Sequence, residues 1–168
     1  MITIDTCAGS DCAALAALWN AKRLDSASCW TQAQPIDETY VAQLMLAGYT
    51  FALATVDGVP SGFGFWRGGG DPVRLAALAA DDGEVYYRLM DAFCDWALSV
   101  PATSAVSEMG AEATTESGWV DALGVIELSP IGFEPLGADE AQDQRVPKLL
   151  RATCDLQVLK NAVATALE

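Results

Sequence analysis

"LAALAADDGEVYYRLMDAFCDWALS", residues 75–99, passes from an apolar run through an acidic turn into an amphipathic pattern. Val85, Leu89, Phe93, Trp96 and Ala97 recur at helical spacing, so the second half reads as a helix with one apolar face. The run before the turn, from Val73 onward, is short and apolar enough for a buried strand. A strand that turns directly into a helix is a frame for binding an anion, because the first turn of a helix offers N–H groups and a partial positive charge. Here the turn carries Asp81, Asp82 and Glu84, with Gly83 between them. Asp81-x-x-Glu84 has the spacing of a capping box, and acids in a first turn complement the helix dipole. The frame suits a phosphate, while the side chains suit a helix capped by its own acids.

Working outward, Ile2–Cys7 alternates and predicts a strand, and Ser10 or Asp11 can cap a helix bearing Leu15, Leu18 and Trp19. A second helix is predicted after Asp37 and ends at Gly48. In "YTFALATVDGVPSGFGFW", residues 49–66, two apolar runs flank Asp57-Gly58, the turn pair of a β-hairpin. "ATSAVSEMG" predicts a strand, and "TTESGWVDALG" a short helix capped by Thr114 or Thr115. Beyond it, "VIELSPIGFEPLG" and "RVPKLLRATCDLQVL" suggest two strands, or a strand and an irregular segment, and "DLQVLKNAVATALE" can close the chain as a helix.

The 168 residues suit one domain, 1–168, and 52% hydrophobic content suits a globular core rather than disorder. No apolar run reaches the length of a membrane span, and "MITIDTCAGSD" lacks a basic region followed by an apolar core, so no signal peptide is expected and a cytoplasmic setting is. Nine basic residues stand against 23 acidic ones, a net charge of −14 that repels nucleic acid and anionic lipid and also keeps a small protein soluble. Arg145, Lys148, Arg151 and Lys160 make the C-terminal end less acidic. Five cysteines, at 7, 12, 29, 94 and 154, form no CxxC and read as buried thiols. No histidine occurs, which removes an imidazole base, a Ser-His-Asp triad and the usual zinc sites.

The element order β, α, α, hairpin, β, α, β, α, β resembles that of the GNAT superfamily of acetyl-CoA-dependent N-acetyltransferases. "FALATVDGVPSGFGFW" is similar to the family's second and third strands, and "LAALAADDGEVYYRLMDAFCDWAL" to its fourth strand, pyrophosphate loop and third helix. "LSPIGFEPLG" is similar to the segment where its last helix runs into a Gly-Phe pair and a strand. The resemblance implies an α/β (α+β) fold: a mixed, mostly antiparallel, splayed sheet of about six or seven strands with helices on both faces. It implies that acetyl-CoA enters where the fourth and fifth strands part, with Ala77, Leu78 and Ala79 pairing the pantetheine arm. The loop of Asp81, Asp82, Gly83, Glu84, Val85 and Tyr86 would wrap the pyrophosphate. The family's loop pattern is Arg or Gln, two residues, Gly, one residue, then Gly or Ala; here those places hold Asp81, Glu84 and Tyr86. Arg88 or Arg74 is expected to neutralise part of the loop.

Acetyl transfer to an amine needs a base for the amine and a donor for the departing thiolate. Glu108, on a strand that would line the cleft, is the candidate base, and a solvated strand glutamate is the plainer reading. The family's donor is often a tyrosine on the last helix; Val120 or Leu128 stands at that place, and Tyr86 is the candidate substitute. Trp30 is a candidate for the acceptor pocket or a loop anchor. The expected activity is transfer of an acetyl group from acetyl-CoA to a small-molecule or peptide amine; the alternative is a catalytically inactive GNAT-fold protein that binds a ligand or a protein. A homodimer is admitted; nucleic acid, membrane and metal are not expected.

Overall fold

The computed structural model describes residues 1–23, 35–110, 125–133 and 147–168. Its clearest local signal is the hairpin of β2 (Tyr49–Val56) and β3 (Val59–Arg67). Asp57 and Gly58 turn the chain with φ of 51° and 82°, a left-handed pair matched to the twist of the flanking strands. β1 (Ile2–Thr6) pairs antiparallel with β2, and β4 (Val73–Ala80) pairs antiparallel with β3. β5 (Ser104–Gly110) joins β4 in parallel, and β7 (Pro147–Asp155) lies antiparallel between β5 and β6 (Val125–Phe133). The result is one seven-stranded sheet in the order β1-β2-β3-β4-β5-β7-β6, mixed and mostly antiparallel.

Both faces of the sheet carry helices. α1 (Cys12–Lys22) and α2 (Glu38–Leu46) cover one face, where Leu15, Trp19, Val41, Phe51, Phe63 and Phe65 form a buried cluster. α3 (Gly83–Ser99) and α4 (Leu156–Ala166) cover the other, packing Val85, Leu89, Phe93 and Leu156 against Trp66, Val73 and Leu75. Alternation along each strand sorts side chains between these layers. Trp66, Val73, Leu75, Ala105 and Cys154 point to the α3/α4 face. Lys160 ties the two helices of that face together, bonding Asp91 at 2.5 Å and Asp95 at 2.7 Å. Among the described residues no helix is long and apolar enough to cross a membrane.

The caps refine the sequence reading. Asp37 caps α2 by accepting from Tyr40 N–H at 2.9 Å, as expected. Asp11 instead accepts from Ala8 N–H at 2.7 Å and closes a 3-10 turn ahead of α1. At α3 the cap is Asp82, which accepts from Val85 N–H at 2.9 Å. The spacing Asp81-x-x-Glu84 therefore makes no capping box: β4 bonds one residue further than the pattern suggested, so the helix starts one residue later. The C-terminal segment contains both elements that the pattern suggested, β7 and then α4, with Asp155 capping the helix. The predicted helix after Thr114 or Thr115 lies outside the described residues.

Candidate functional site

β4 and β5 are in register for two residue pairs alone, Val73 with Ala105 and Arg74 with Val106. β4 then continues to Ala80 and β5 to Gly110 without further pairing, so the sheet opens into a V. The β3–β4 register supplies a cause. Phe65 opposes Ala77 and Trp66 opposes Leu75, which leaves Ala76 as an extra residue in β4. Such a bulge bends its strand and increases the local twist, and this one falls two residues after the last β4–β5 pair.

The same ladder sets which backbone groups face the opening. Asp81 N–H donates to Ser61 C=O at 2.9 Å, towards β3. Alternation then directs the backbone of Ala79 and Ala77 towards β3 as well, and that of Leu78 and Ala80 towards β5. Of the three residues expected along the pantetheine, Leu78 is thus the one whose backbone faces the cleft; all three side chains are buried.

At the wide end of the V lies the start of α3. Each of its three acids has a job. Asp81 forms an ion pair with Lys22, reaching across from the end of α1. Asp82 caps the helix, and Glu84 accepts from Arg88 Nε at 3.0 Å and from its terminal nitrogen at 2.8 Å. Tyr86 N–H donates to Asp82 C=O at 3.1 Å, which leaves the N–H groups of Gly83 and Glu84 without an intrahelical partner. A Cβ at Gly83 would meet nothing within 4 Å, so the approach to those two donors is open. Val85 is fully buried under the turn. Tyr86 is half-buried, packs edge-on against Tyr87 with ring centroids 5.8 Å apart, and burial pushes its phenol up to about 12, so it keeps its proton. Arg88 neutralises part of the loop as expected. Arg74 does not: it stands at the other end of β4 and pairs with Glu108.

That pairing forms the narrow end of the V. Glu108 accepts from Arg74 at 3.2 Å through one oxygen and from Arg151 at 2.9 Å through the other. The candidate base is therefore held between two guanidiniums. A pocket of about 210 Å³ opens over Arg74, Glu108, Arg151 and Thr153, and a second of about 350 Å³ over Tyr49, Arg67 and the Gly68–Gly70 loop shares Pro72 and Arg74 with it. The sequence offered no sign of Lys22, Arg67 or Arg151 at these sites, since each meets its neighbours through sheet pairing or across layers. A basic residue facing away from an apolar stripe in a strand is the signal that comes nearest to finding Arg67 and Arg74. Trp30 lies outside the described residues.

Asp71 anchors the loop at this end. Its carboxylate accepts from Thr103 N–H and hydroxyl at 3.1 and 2.6 Å, and from Ser104 N–H and hydroxyl at 3.0 and 2.8 Å. The hydroxyl bonds of Thr103 and Ser104 are the main reason its pKa falls from 3.8 to about 2. A carboxylate depressed in the folded state contributes stability that is present above the unfolded pKa and lost as pH falls towards the folded one. The urea midpoint of the wild-type protein should therefore drop more steeply between pH 4 and pH 2 than that of Asp71→Asn. Parallel curves through that window would show that these bonds do not select the ionised form.

The described cysteines 7, 12, 94 and 154 are free thiols. Burial pushes Cys7 and Cys94 up to about 12 and Cys154 to about 11, so none of these three is a thiolate nucleophile at neutral pH. Among the described residues no cluster of His, Cys, Asp and Glu could hold a metal ion.

A phosphinothricin acetyltransferase of the GNAT superfamily from Sinorhizobium meliloti, solved with acetyl-CoA, superposes with a TM-score of 0.64 at 12% identity, over 92% of this chain and 88% of that one. The fold is the GNAT fold. A ribosomal-protein-alanine N-acetyltransferase from Brucella melitensis gives 0.63 at 16% identity, over 91% and 99% of the two chains. A Salmonella typhimurium protein solved with its cofactor acetyl-CoA gives 0.61 at 18%, over 92% and 94%. No protein-family model matches the sequence, and no curated protein matches it. The GNAT likeness thus lives in the path of the backbone, including the splayed sheet with helices on both faces.

Proposed function

We propose that the protein is a GNAT-type acyltransferase that moves an acetyl group from acetyl-CoA to an amine in the cytoplasm. The observation that carries this reading is the parting of β4 from β5 after two residue pairs, driven by the bulge at Ala76. The residues around the opening fit the cofactor. The backbone of Ala80 faces it, and the N–H groups of Gly83 and Glu84 stand at an unobstructed helix start. Lys22 and Arg88 flank that start and offset two of its three carboxylates. Acetyl-CoA bound there supplies the activated acyl group: the amine nitrogen forms the new bond to the acyl carbon, the thioester C–S bond breaks, and the amine gives up a proton. Glu108 is placed at the narrow end to receive that proton once one of its guanidinium partners turns to the substrate. Tyr86 keeps its proton but stands in the first turn of α3, away from that end, so the departing thiolate takes its proton from solvent. Free thiols at four cysteines support a reducing, cytoplasmic setting.

One feature favours the second reading, a GNAT-fold protein that binds without catalysing. The Asp82 carboxylate occupies the Val85 N–H and puts a negative charge where a pyrophosphate would approach. Calorimetric and thermal-shift titrations with acetyl-CoA test whether that charge closes the cofactor site, and CoA release in the presence of an amine separates the two readings. Binding to the folded state alone at 100 times Kd stabilises by about 2.7 kcal/mol, a midpoint rise of roughly 5–10 °C for a chain of this size. Asp82→Ala should destabilise the free protein by about 1 kcal/mol through the lost cap. It should also tighten acetyl-CoA binding about fivefold, from one fewer like charge near 4 Å in a high dielectric, worth about 1 kcal/mol. No midpoint change at millimolar acetyl-CoA, in either protein, removes the acyltransferase reading.

A further inference from the structure

Three of the nine basic residues of this acidic chain meet at the narrow end of the V, on the α1/α2 face of the sheet. Side-chain alternation puts them on one face: Trp66 points to the α3/α4 layer and Arg67 away from it, Val73 and Leu75 likewise bracket Arg74, and Arg151 stands one position out of phase with Ala152 and three from Cys154. Arg67 and Arg74 are direct cross-strand partners. Like charges in that relation are destabilising, so the fold holds an unfavourable pair in place. Against the three guanidiniums the pockets present Glu108, shared between Arg74 and Arg151, and Asp71, whose oxygens are turned to Thr103 and Ser104. Arg67 has no ion-pair partner among the described residues; its guanidinium lies 5.5 Å from the centre of the Tyr49 ring.

This basic pocket is not the phosphate end of the cleft. Arg74 lies six residues before Ala80 on β4, so roughly 20 Å of extended strand separates it from the start of α3. It sits instead at the root of the V, where β4 and β5 are still paired and where an acceptor would meet the tip of a cofactor threaded between the strands. We propose that this pocket takes an amine that also bears a carboxylate, with Arg67 holding the carboxylate beside the cluster of Arg74, Glu108 and Arg151. The proposal rests on the acyltransferase reading for the amine, while the arginine geometry alone carries the carboxylate. Such a zwitterion also answers to both fields of the molecule: the overall charge of −14 draws its ammonium group, and the local guanidiniums draw its carboxylate. A planar fork suits the second task, because it bonds a carboxylate through two parallel N–H groups.

The test pairs L-amino acids with the amines left when their α-carboxylate is removed (tyrosine with tyramine, tryptophan with tryptamine, lysine with cadaverine). Each probe is titrated calorimetrically into the wild-type protein and Arg67→Gln, without cofactor, and is then assayed for CoA release with acetyl-CoA. The expected result is at least one pair in which the acid binds about tenfold or more tighter than the amine. Arg67→Gln should abolish that preference, and Arg67→Lys should restore part of it. Arg67 is exposed and its cross-strand neighbour is Arg74, so Arg67→Lys should keep the wild-type melting midpoint and Arg67→Gln should melt no lower. If no acid is preferred in any pair, or if the preference survives in Arg67→Gln, the proposal is overturned. A preference for the acid without CoA release leaves the pocket standing and counts against the acyltransferase reading alone.

Discussion

Replacing Phe65 with Ala should destabilise the protein by about 3–5 kcal/mol, the largest loss expected from any single truncation in the sheet. Phe65 is fully buried at the centre of β3. Its ring stacks on Phe51 with centroids 4.8 Å apart and on Trp19 at 5.1 Å, and meets Tyr49 edge-on at 5.8 Å. Removing it deletes the ring contacts that Phe65 makes with β2 and α1 at once, and the three large rings around it cannot all collapse into the space. A domain typically has about 5–15 kcal/mol in hand, so the melting midpoint should fall by roughly 6–20 °C. Phe65→Leu refills most of the volume and should lose markedly less. The consequence reaches the basic pocket, because Arg67 lies two residues on along the same face and rests against Tyr49. A loss below about 1 kcal/mol on urea denaturation would show that the cluster is not close-packed and that α1 does not depend on it.

The fold was more legible in the sequence than the site, and particular residues show why. Asp57-Gly58, the apolar spacing from Val85 to Ala97 and the cap at Asp37 are local signals, and each element stands where its signal placed it. The order of elements then led to the GNAT fold although the phosphate-loop pattern is absent. Electrostatic partners are another matter. Asp81 reads in the sequence as one of three neighbouring acids in a turn, and its partner Lys22 stands 59 residues earlier. Arg74 looked like a neighbour of that loop, yet it joins a carboxylate 34 residues later at the other end of its own strand. Glu84, which has capping-box spacing from Asp81, instead pairs along the helix with Arg88, and Asp82 is the acid that competes for the helix N–H groups. A one-residue uncertainty in where a helix starts decides which of two adjacent aspartates caps it, and no periodicity in the sequence resolves that.

Gly62→Val is the substitution that should strike fold and site together. A Cβ built on Gly62 would lie 2.9 Å from the carbonyl oxygen of Ala79, 3.0 Å from a methyl of Val85 and 3.1 Å from the Cβ of Ala80. The oxygen and the Cβ belong to the backbone frame of β4, and Val85 is fixed in the first turn of α3, so nothing nearby can rotate aside. Gly64 makes a useful contrast: its closest contact, at 2.4 Å, is a terminal methyl of Leu78, which has another rotamer to adopt. Overpacking of this kind costs about 1–3 kcal/mol, and Gly62→Val should lie at the upper end of that range. Val85 also donates its N–H to Asp82, so lifting it from β3 moves the first turn whose N–H groups face the opening. Acetyl-CoA affinity, measured calorimetrically well below the melting midpoint, should therefore weaken on the order of tenfold. Gly83→Ala provides the control for stability, since its Cβ would meet no protein atom and an alanine suits a helix; it should melt no lower than the wild type. If Gly62→Val is destabilised yet binds acetyl-CoA normally, the close seating of α3 on β3 serves packing alone, and the position of the helix start is set from its far end, where Trp96 packs under the Gly68 loop.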